Sequence, residues 1–388
     1  MRAYVWTDRA LTRHAGRFVW LAIDTEKAKN ASFSKRFGIV ALPTFLVLDP
    51  ATEKVALRWV GGATAAQLDR ILDDGRLAVG RASPEGATLA GTGAEAADRA
   101  LASADRLYGE SENAAAAAAY QRALAAAPPG WPRYTRAVES LLFALDRCDS
   151  SEAEAVVARD AYPRLARTSS AANVAASGLD AALALPPDHP RRAALVEALG
   201  AAAREVISDP ALPVAADDRS GAYIALLDER KDAKDAAGAR EVATRWAAFL
   251  EGEAARAKTP EQRAVFDSHR LSAYLEMGEP GRAIPMLEAS EHDFPGDYNP
   301  PARLAVAYDS LRRWGDAIAA SDRALSRAYG PRKLRLLQNR ATIYERRGDP
   351  AAARRTLDDA IAAAESLPPG QRSESTIAAL KKRRDGLK

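Results

Sequence analysis

The segments AYLEMGEPGRAIPMLEASEHDFP (273–295), AYDSLRRWGDAIAASDRAL (307–325) and IYERRGDPAAARRTLDDAI (343–361) repeat one pattern. In the first, Tyr274, Gly278, Ala283 and Pro295 fall at the spacing Tyr-x3-Gly-x4-Ala-x11-Pro. Tyr308 and Ala317 recur 34 residues later, followed by Ala324, and Tyr344, Gly348, Ala353 and Ala360 repeat the order after a further 36. An earlier stretch fits the same frame with Leu107, Ala116, Tyr120, Ala123 and Pro128. Small residues at a helix crossing let two antiparallel helices approach closely, and the tyrosines fill the gap between them. One helix pair cannot cover its own apolar face, so neighbouring pairs must stack. The expectation is an all-α solenoid.

A period near 34, a tyrosine in the first helix and a proline after the second resemble the tetratricopeptide repeat. The resemblance is good over 264–366, fair over 97–128 and poor over 131–258, where helical segments such as YTRAVESLLFAL and REVATRWAAFLE read as degenerate repeats. It implies a concave surface that grips a protein or peptide, with Arg303, Arg312, Arg335, Asn339 and Arg340 as candidate groove residues. The tyrosines and alanines themselves are explained by packing. Exposed charges on helices are usually a solvated face, and the groove reading of the arginines stands beside that one.

The first 75 residues differ. FVWLAI (18–23) is an apolar run closing on Asp24, as a buried strand would, and EKAKNASFSKRF (26–37) has helical polarity with Gly38 as its stop. PTFLVL (43–48) ends at the turn signal Asp49-Pro50. KVALRWV (54–60) alternates as a half-buried strand, Gly61-Gly62 breaks it, and TAAQLDRILD (64–73) is an amphipathic helix. A helical fragment over 1–15 precedes this strand–helix–strand–strand–helix order.

GIVALPTFLVLDP (38–50), with LAIDTEK (21–27) and RWVGGATAAQLDRIL (58–72), resembles the thioredoxin family. That resemblance implies a cis Leu42–Pro43 bond and a loop, Leu42, Pro43 and Thr44, whose backbone meets an extended peptide. It also implies a CxxC motif on the first long helix and a strand before it, and this sequence carries neither. MRAYVWTDRALTRHAG (1–16) looks like the remainder of that helix. Two accounts remain open: a longer product carrying CxxC upstream, or a relic without redox chemistry.

The expected fold is therefore an incomplete thioredoxin-like α/β unit at 1–78 and a linker at 79–96. Degenerate helical repeats follow at 97–258 and tetratricopeptide-type repeats at 264–388. The charge is 55 − 52 = +3 with the signs interspersed, so there is no basic arm for nucleic acid. The single cysteine, Cys148, permits no dithiol pair within this chain. His14, His189, His269 and His292 lie too far apart in sequence to form a metal motif. No apolar run approaches a membrane span. The glycines of Gly86–Gly91 lack the lysine of a phosphate loop, because Thr92 stands in its place. No catalytic residue, metal or cofactor is expected. The expected role is protein–protein interaction, in the cytoplasm as the sequence stands. The alternative is a thiol–disulfide oxidoreductase whose longer form carries CxxC and recruits clients through the repeats, exported or periplasmic if a signal peptide precedes it.

Overall fold

The computed structural model describes residues 4–79 and 92–387. Most of the expected linker, and the glycines of 86–91, lie outside the described residues. The elements run α1 (Ala31–Arg36), β1 (Thr44–Leu48), β2 (Val55–Val60), α2 (Ala65–Ala78), α3 (Ala94–Gly109), α4 (Asn113–Ala126), α5 (Tyr134–Asp146) and α6 (Ser151–Leu165). They continue with α7 (Ala171–Ala184), α8 (Arg192–Ser208), α9 (Ala216–Asp232), α10 (Ala236–Arg256), α11 (Pro260–Ala264) and α12 (Asp267–Met277). The last six are α13 (Ala283–Asp293), α14 (Asn299–Ser310), α15 (Trp314–Arg327), α16 (Gly330–Arg347), α17 (Pro350–Glu365) and α18 (Glu374–Asp385). Two compact units result, Met1–Val19 with Val40–Val242, and Trp20–Ile39 with Ala243–Lys388.

In the first unit β1 and β2 form an antiparallel hairpin from Thr44↔Val60 to Leu48↔Val55, with an irregularity between Val47 and Leu48. Val47, Leu57 and Trp59 pack against Leu68, Ile71 and Leu72 of α2, with Val5 and Leu11 closing the cluster. A capping box starts α2: Thr64 accepts from the Gln67 backbone while the Gln67 side chain accepts from Thr64 N–H. Gly75 sits so close to the hairpin that a Cβ there would meet Val47 at 2.5 Å.

The expected strand at 18–23 does not form. Val19 and Leu21 are 89% and 74% exposed, and the sheet among the described residues has two strands. A lone apolar run has no neighbour for its N–H and C=O groups, so it stays solvated. The other expected elements appear in altered form. The helix expected at 26–37 is a 3-10 turn, Ala28–Asn30, followed by the short α1, and residues 1–15 hold a 3-10 helix at Arg9–His14. The Leu42–Pro43 bond is cis. The thioredoxin-like sheet is thus not seen here; what folds is a hairpin covered by one helix.

From α3 to α9 every helix packs on the next, and α5 on α7, α6 on α8 and α7 on α9 as well. Short connections make neighbours antiparallel. Alanine fills the crossings: Ala104, Ala116, Ala119, Ala123, Ala137 and Ala144 are all fully buried. In the second unit α12 to α18 pack in the same successive manner. Ala283, Ala317 and Ala353, read from the sequence as crossing residues, are 0% exposed.

Among the described residues one turn recurs six times. After α3, α5, α9, α12, α14 and α16 a residue enters the left-handed region: Ser111 (φ 65°), Asp149 (53°), Lys234 (58°), Gly278 (77°), Arg312 (56°) and Gly348 (81°). The next backbone N–H then reaches back five residues: Glu112→Leu107, Ser150→Leu145, Asp235→Arg230, Glu279→Tyr274, Arg313→Tyr308 and Asp349→Tyr344, at 2.8–3.0 Å. This is the bond that closes a helix in the Schellman arrangement. Three of the acceptors, Tyr274, Tyr308 and Tyr344, are tyrosines of the sequence repeat, and the stretch with the weakest sequence match carries the same lock at Asp149 and Lys234. The helix-pair repeat therefore extends through the middle of the chain.

Candidate protein-interaction site

The five candidate groove residues fall into different places. Arg312 is the left-handed residue of the α14–α15 turn, equivalent to Gly278 and Gly348, and is exposed. Arg303 is half-buried on α14; burial pushes its guanidinium down, while the carboxylates of Asp267 and Asp297 pull it back up and Arg335 opposes them. Arg335 itself is exposed on α16. Asn339 lines a cleft of about 180 Å³ with Asp309, Ser321 and Arg346. Arg340 lines another of about 420 Å³ with Tyr344, Arg355, Thr356 and Asp359. There it pairs with Asp322, donates to Tyr344 Oη at 3.2 Å and lies over the Tyr344 ring. So Arg335 lies near enough to oppose the charge on Arg303, whereas Asn339 and Arg340 line separate clefts.

Leu42 is 64% exposed and Pro43 is also exposed. Pro43 carbonyl accepts from Gly61 N–H at 2.9 Å, and Thr44 Oγ1 donates to Ala41 carbonyl at 2.7 Å. Among the described residues β1 pairs only with β2. Cys148 lies at the α5–α6 turn, half-buried, and burial pushes its thiol up, away from the reactive thiolate.

A second set of residues was not read from the sequence as functional. Residues 24–31 lie along the edge of the C-terminal repeats. Asp24 Oδ2 accepts from Tyr329 Oη at 2.5 Å. Glu26 accepts from Arg332 Nε at 2.8 Å and from Tyr298 Oη at 3.4 Å, and Arg332 lies over the Tyr298 ring with its guanidinium 5.7 Å from the centroid. Gln371 Nε2 donates to the backbone carbonyls of Thr25 and Lys27 at 2.7 and 3.4 Å. Two glycines let the backbones touch: a Cβ on Gly330 would stand 2.1 Å from Glu26 carbonyl oxygen, and one on Gly370 would stand 2.6 Å from that of Ala31.

The electrostatics follow the geometry. Burial alone would raise Asp24, yet the bond from Tyr329, the Glu26 N–H and the Lys27 charge bring it below the usual carboxylate value. The same bond to Asp24 pushes the Tyr329 phenol up to about 12. FPGDYNPP (294–301), YGP (329–331) and LPPG (367–370), which supply Tyr298, Tyr329, Gly330 and Gly370, lie outside the repeated tyrosine, glycine and alanine positions.

No family model matches the chain, and no curated protein matches it. Among solved structures it is similar to a tetratricopeptide repeat protein from Parabacteroides merdae, at TM-score 0.43 and 12% identity over 75% of this chain and 99% of that one. It is similar also to the TPR2AB-domain:pHSP90 complex of yeast Sti1, at TM-score 0.28 and 16% identity, covering 75% and 99% of the two chains. A third similarity is to the APC/C hetero-tetramer Cut9–Hcn1, at TM-score 0.33 and 16% identity, covering 83% and 54%. The helix-pair architecture of this chain rests on its own six turns and their packing.

Proposed function

We propose that this chain is a protein-binding scaffold whose C-terminal helix pairs hold a partner protein or peptide. The observation that carries this reading is the cleft of about 420 Å³ lined by Arg340, Tyr344 and Arg355. Its cations and phenol are fixed on two long helices, α16 and α17, so a ligand meets side chains whose positions are already set, at low ordering cost. Asp358 and Asp359 share that cleft, so its lining carries both signs of charge, and Arg303 and Arg335 are the further groove residues of this reading. Arginine forks suit the carboxylates and carbonyls of a peptide. The test is recovery of partners on the immobilised chain, wild type against Arg303→Glu, Arg335→Glu and Arg340→Glu combined. Loss of specific partners with an unchanged circular dichroism spectrum supports the reading; identical recovery counts against the groove.

A finer reading concerns the N-terminal hairpin. The order β1, β2, α2 supports the resemblance to the thioredoxin family, and exposed Leu42 beside β1 supports a peptide contact at Leu42, Pro43 and Thr44. With one cysteine, this chain is expected to show no dithiol turnover in an insulin-reduction assay. A longer product with an upstream CxxC is the alternative, and sequencing the DNA upstream of codon one tests it.

A further inference from the structure

We propose that the edge formed by the connections α13–α14, α15–α16 and α17–α18 is a recognition site for an extended protein segment bearing Asp and Glu two residues apart. The chain's own Asp24–Lys27 occupies it here as a resident competitor, and a partner's acidic segment takes its place. This surface is distinct from the Arg340 cleft.

Three features give the edge the character of a reader. Its side chains discriminate: Tyr329 takes the aspartate, and Arg332, backed by Tyr298, takes the glutamate. Its main-chain contact does not discriminate: Gln371 donates to the carbonyls on either side of the glutamate, which any extended segment would offer. Its steric gate is glycine, since only Gly330 and Gly370 admit the segment's backbone at those distances. Residues in or next to three successive inter-repeat connections therefore reach a single stretch of chain.

The resident segment is held in a way that allows exchange. Of residues 24–31 only Ala31 is buried; Asp24, Thr25, Glu26 and Asn30 are half-buried and Lys27, Ala28 and Lys29 exposed. Polar contacts at that exposure are individually weak and screened by salt. Gln371 Oε1 is buried with no donor among the described residues, so the occupant leaves one acceptor of the site unmet. A ligand that donates to it gains an interaction that the resident segment lacks.

The experiment uses the full chain and a fluorescein-labelled peptide, WLAIDTEKAKNA, copied from residues 20–31. Anisotropy titrations compare wild type, Asp24→Asn, and Asp24→Asn with Glu26→Gln, the last two vacating the site by degrees. The expected result is a graded gain, reaching at least ~10-fold tighter binding for the double variant than for wild type, in line with about 1.4 kcal/mol per decade. A peptide with Asn and Gln at the two acidic positions should not bind. Arg332→Met placed in the double variant should abolish the gain, whereas Arg340→Glu should leave it intact, which separates this site from the scaffold cleft. Equal affinity for all chains, no binding to the double variant, or equal binding of the neutral peptide overturns the proposal. Asp24→Asn removes only a half-exposed contact, so it retains the fold if the double variant does not, and it must by itself show part of the gain.

Discussion

Tyr120 donates its phenolic hydrogen to Asp105 Oδ1 at 2.9 Å, joining α4 to α3 through a carboxylate that is 2% exposed. Arg136 forks onto the same carboxylate from α5, at 2.9 and 3.0 Å, and also donates to Asp74 at the end of α2. Burial pushes the Asp105 carboxyl up, and Arg136 and Tyr120 pull it back toward the charged form. Four helices therefore meet in one polar network at the start of the repeats. Arg136→Met leaves Asp105 buried without its cation, and should cost about 3–5 kcal/mol. Tyr120→Phe removes one bond to a charged group, and should cost about 1.5–3 kcal/mol. Urea unfolding of the three chains measures both.

Gly178 holds α7 against its two neighbours. A Cβ there would stand 2.4 Å from the Ala158 methyl of α6 and 2.8 Å from Leu199 Cδ2 of α8. Gly178→Ala should destabilise the chain by about 1–3 kcal/mol despite the better helix propensity of alanine, because the added methyl forces two helices apart. A fall in Tm relative to wild type checks this; a rise would show the crossing to be loose.

Arg312 should gain from becoming glycine. It stands at φ 56°, where Gly278 and Gly348 stand in the flanking repeats, and an L-residue is disfavoured there. Arg312→Gly should stabilise by about 0.5–1 kcal/mol, the relief of the left-handed conformation exceeding the greater unfolded-state freedom of glycine. Thermal unfolding reads the difference. Partner recovery on the immobilised Arg312→Gly chain asks separately whether binding needs the Arg312 charge.

Stability should fall as the pH rises from about 4.5 to about 8. Burial first, then repulsion from Asp146 and Asp180, pushes the Glu154 carboxyl from its ordinary 4.5 up to about 8. Burial likewise pushes Glu139 up to about 7. Between those values the folded chain keeps protons that the unfolded chain has lost, so folding is favoured most at low pH within this window. The Glu154 contribution declines above pH ~4.5 and its loss is complete above pH ~8, amounting to roughly 2 kcal/mol between pH 6 and pH 8. Glu154→Gln should flatten that decline in denaturant midpoints measured across the same range.

Val19→Ser with Leu21→Ser should change stability by less than about 0.5 kcal/mol, since both side chains are largely exposed. A loss of several kcal/mol in urea unfolding would mean that the run is buried as a strand after all.

The repeat was legible wherever tyrosine, glycine and alanine marked it, and Gly278 and Gly348 stand at the turns that their spacing predicts. It faded where Ser111, Asp149 and Lys234 adopt the glycine conformation, because the turn is a backbone property that other residues fill at modest cost. β1, β2 and α2 were legible from period and turn chemistry. The run at 18–23 was misread because apolarity alone says nothing of whether a neighbouring strand is present to pair with it. Tyr298, Tyr329, Arg332 and Gln371 carried no signal at all, since their partners lie hundreds of positions away and none of them falls on a repeated position.

The bond between Asp24 and Tyr329 spans 305 residues. A ribosome adding about 5–20 residues per second completes its second half some 15–60 seconds after its first. For that interval the nascent acidic stretch has no home, and it is open to chaperones or to other chains emerging nearby. The last connections to be synthesised are the ones that end its exposure.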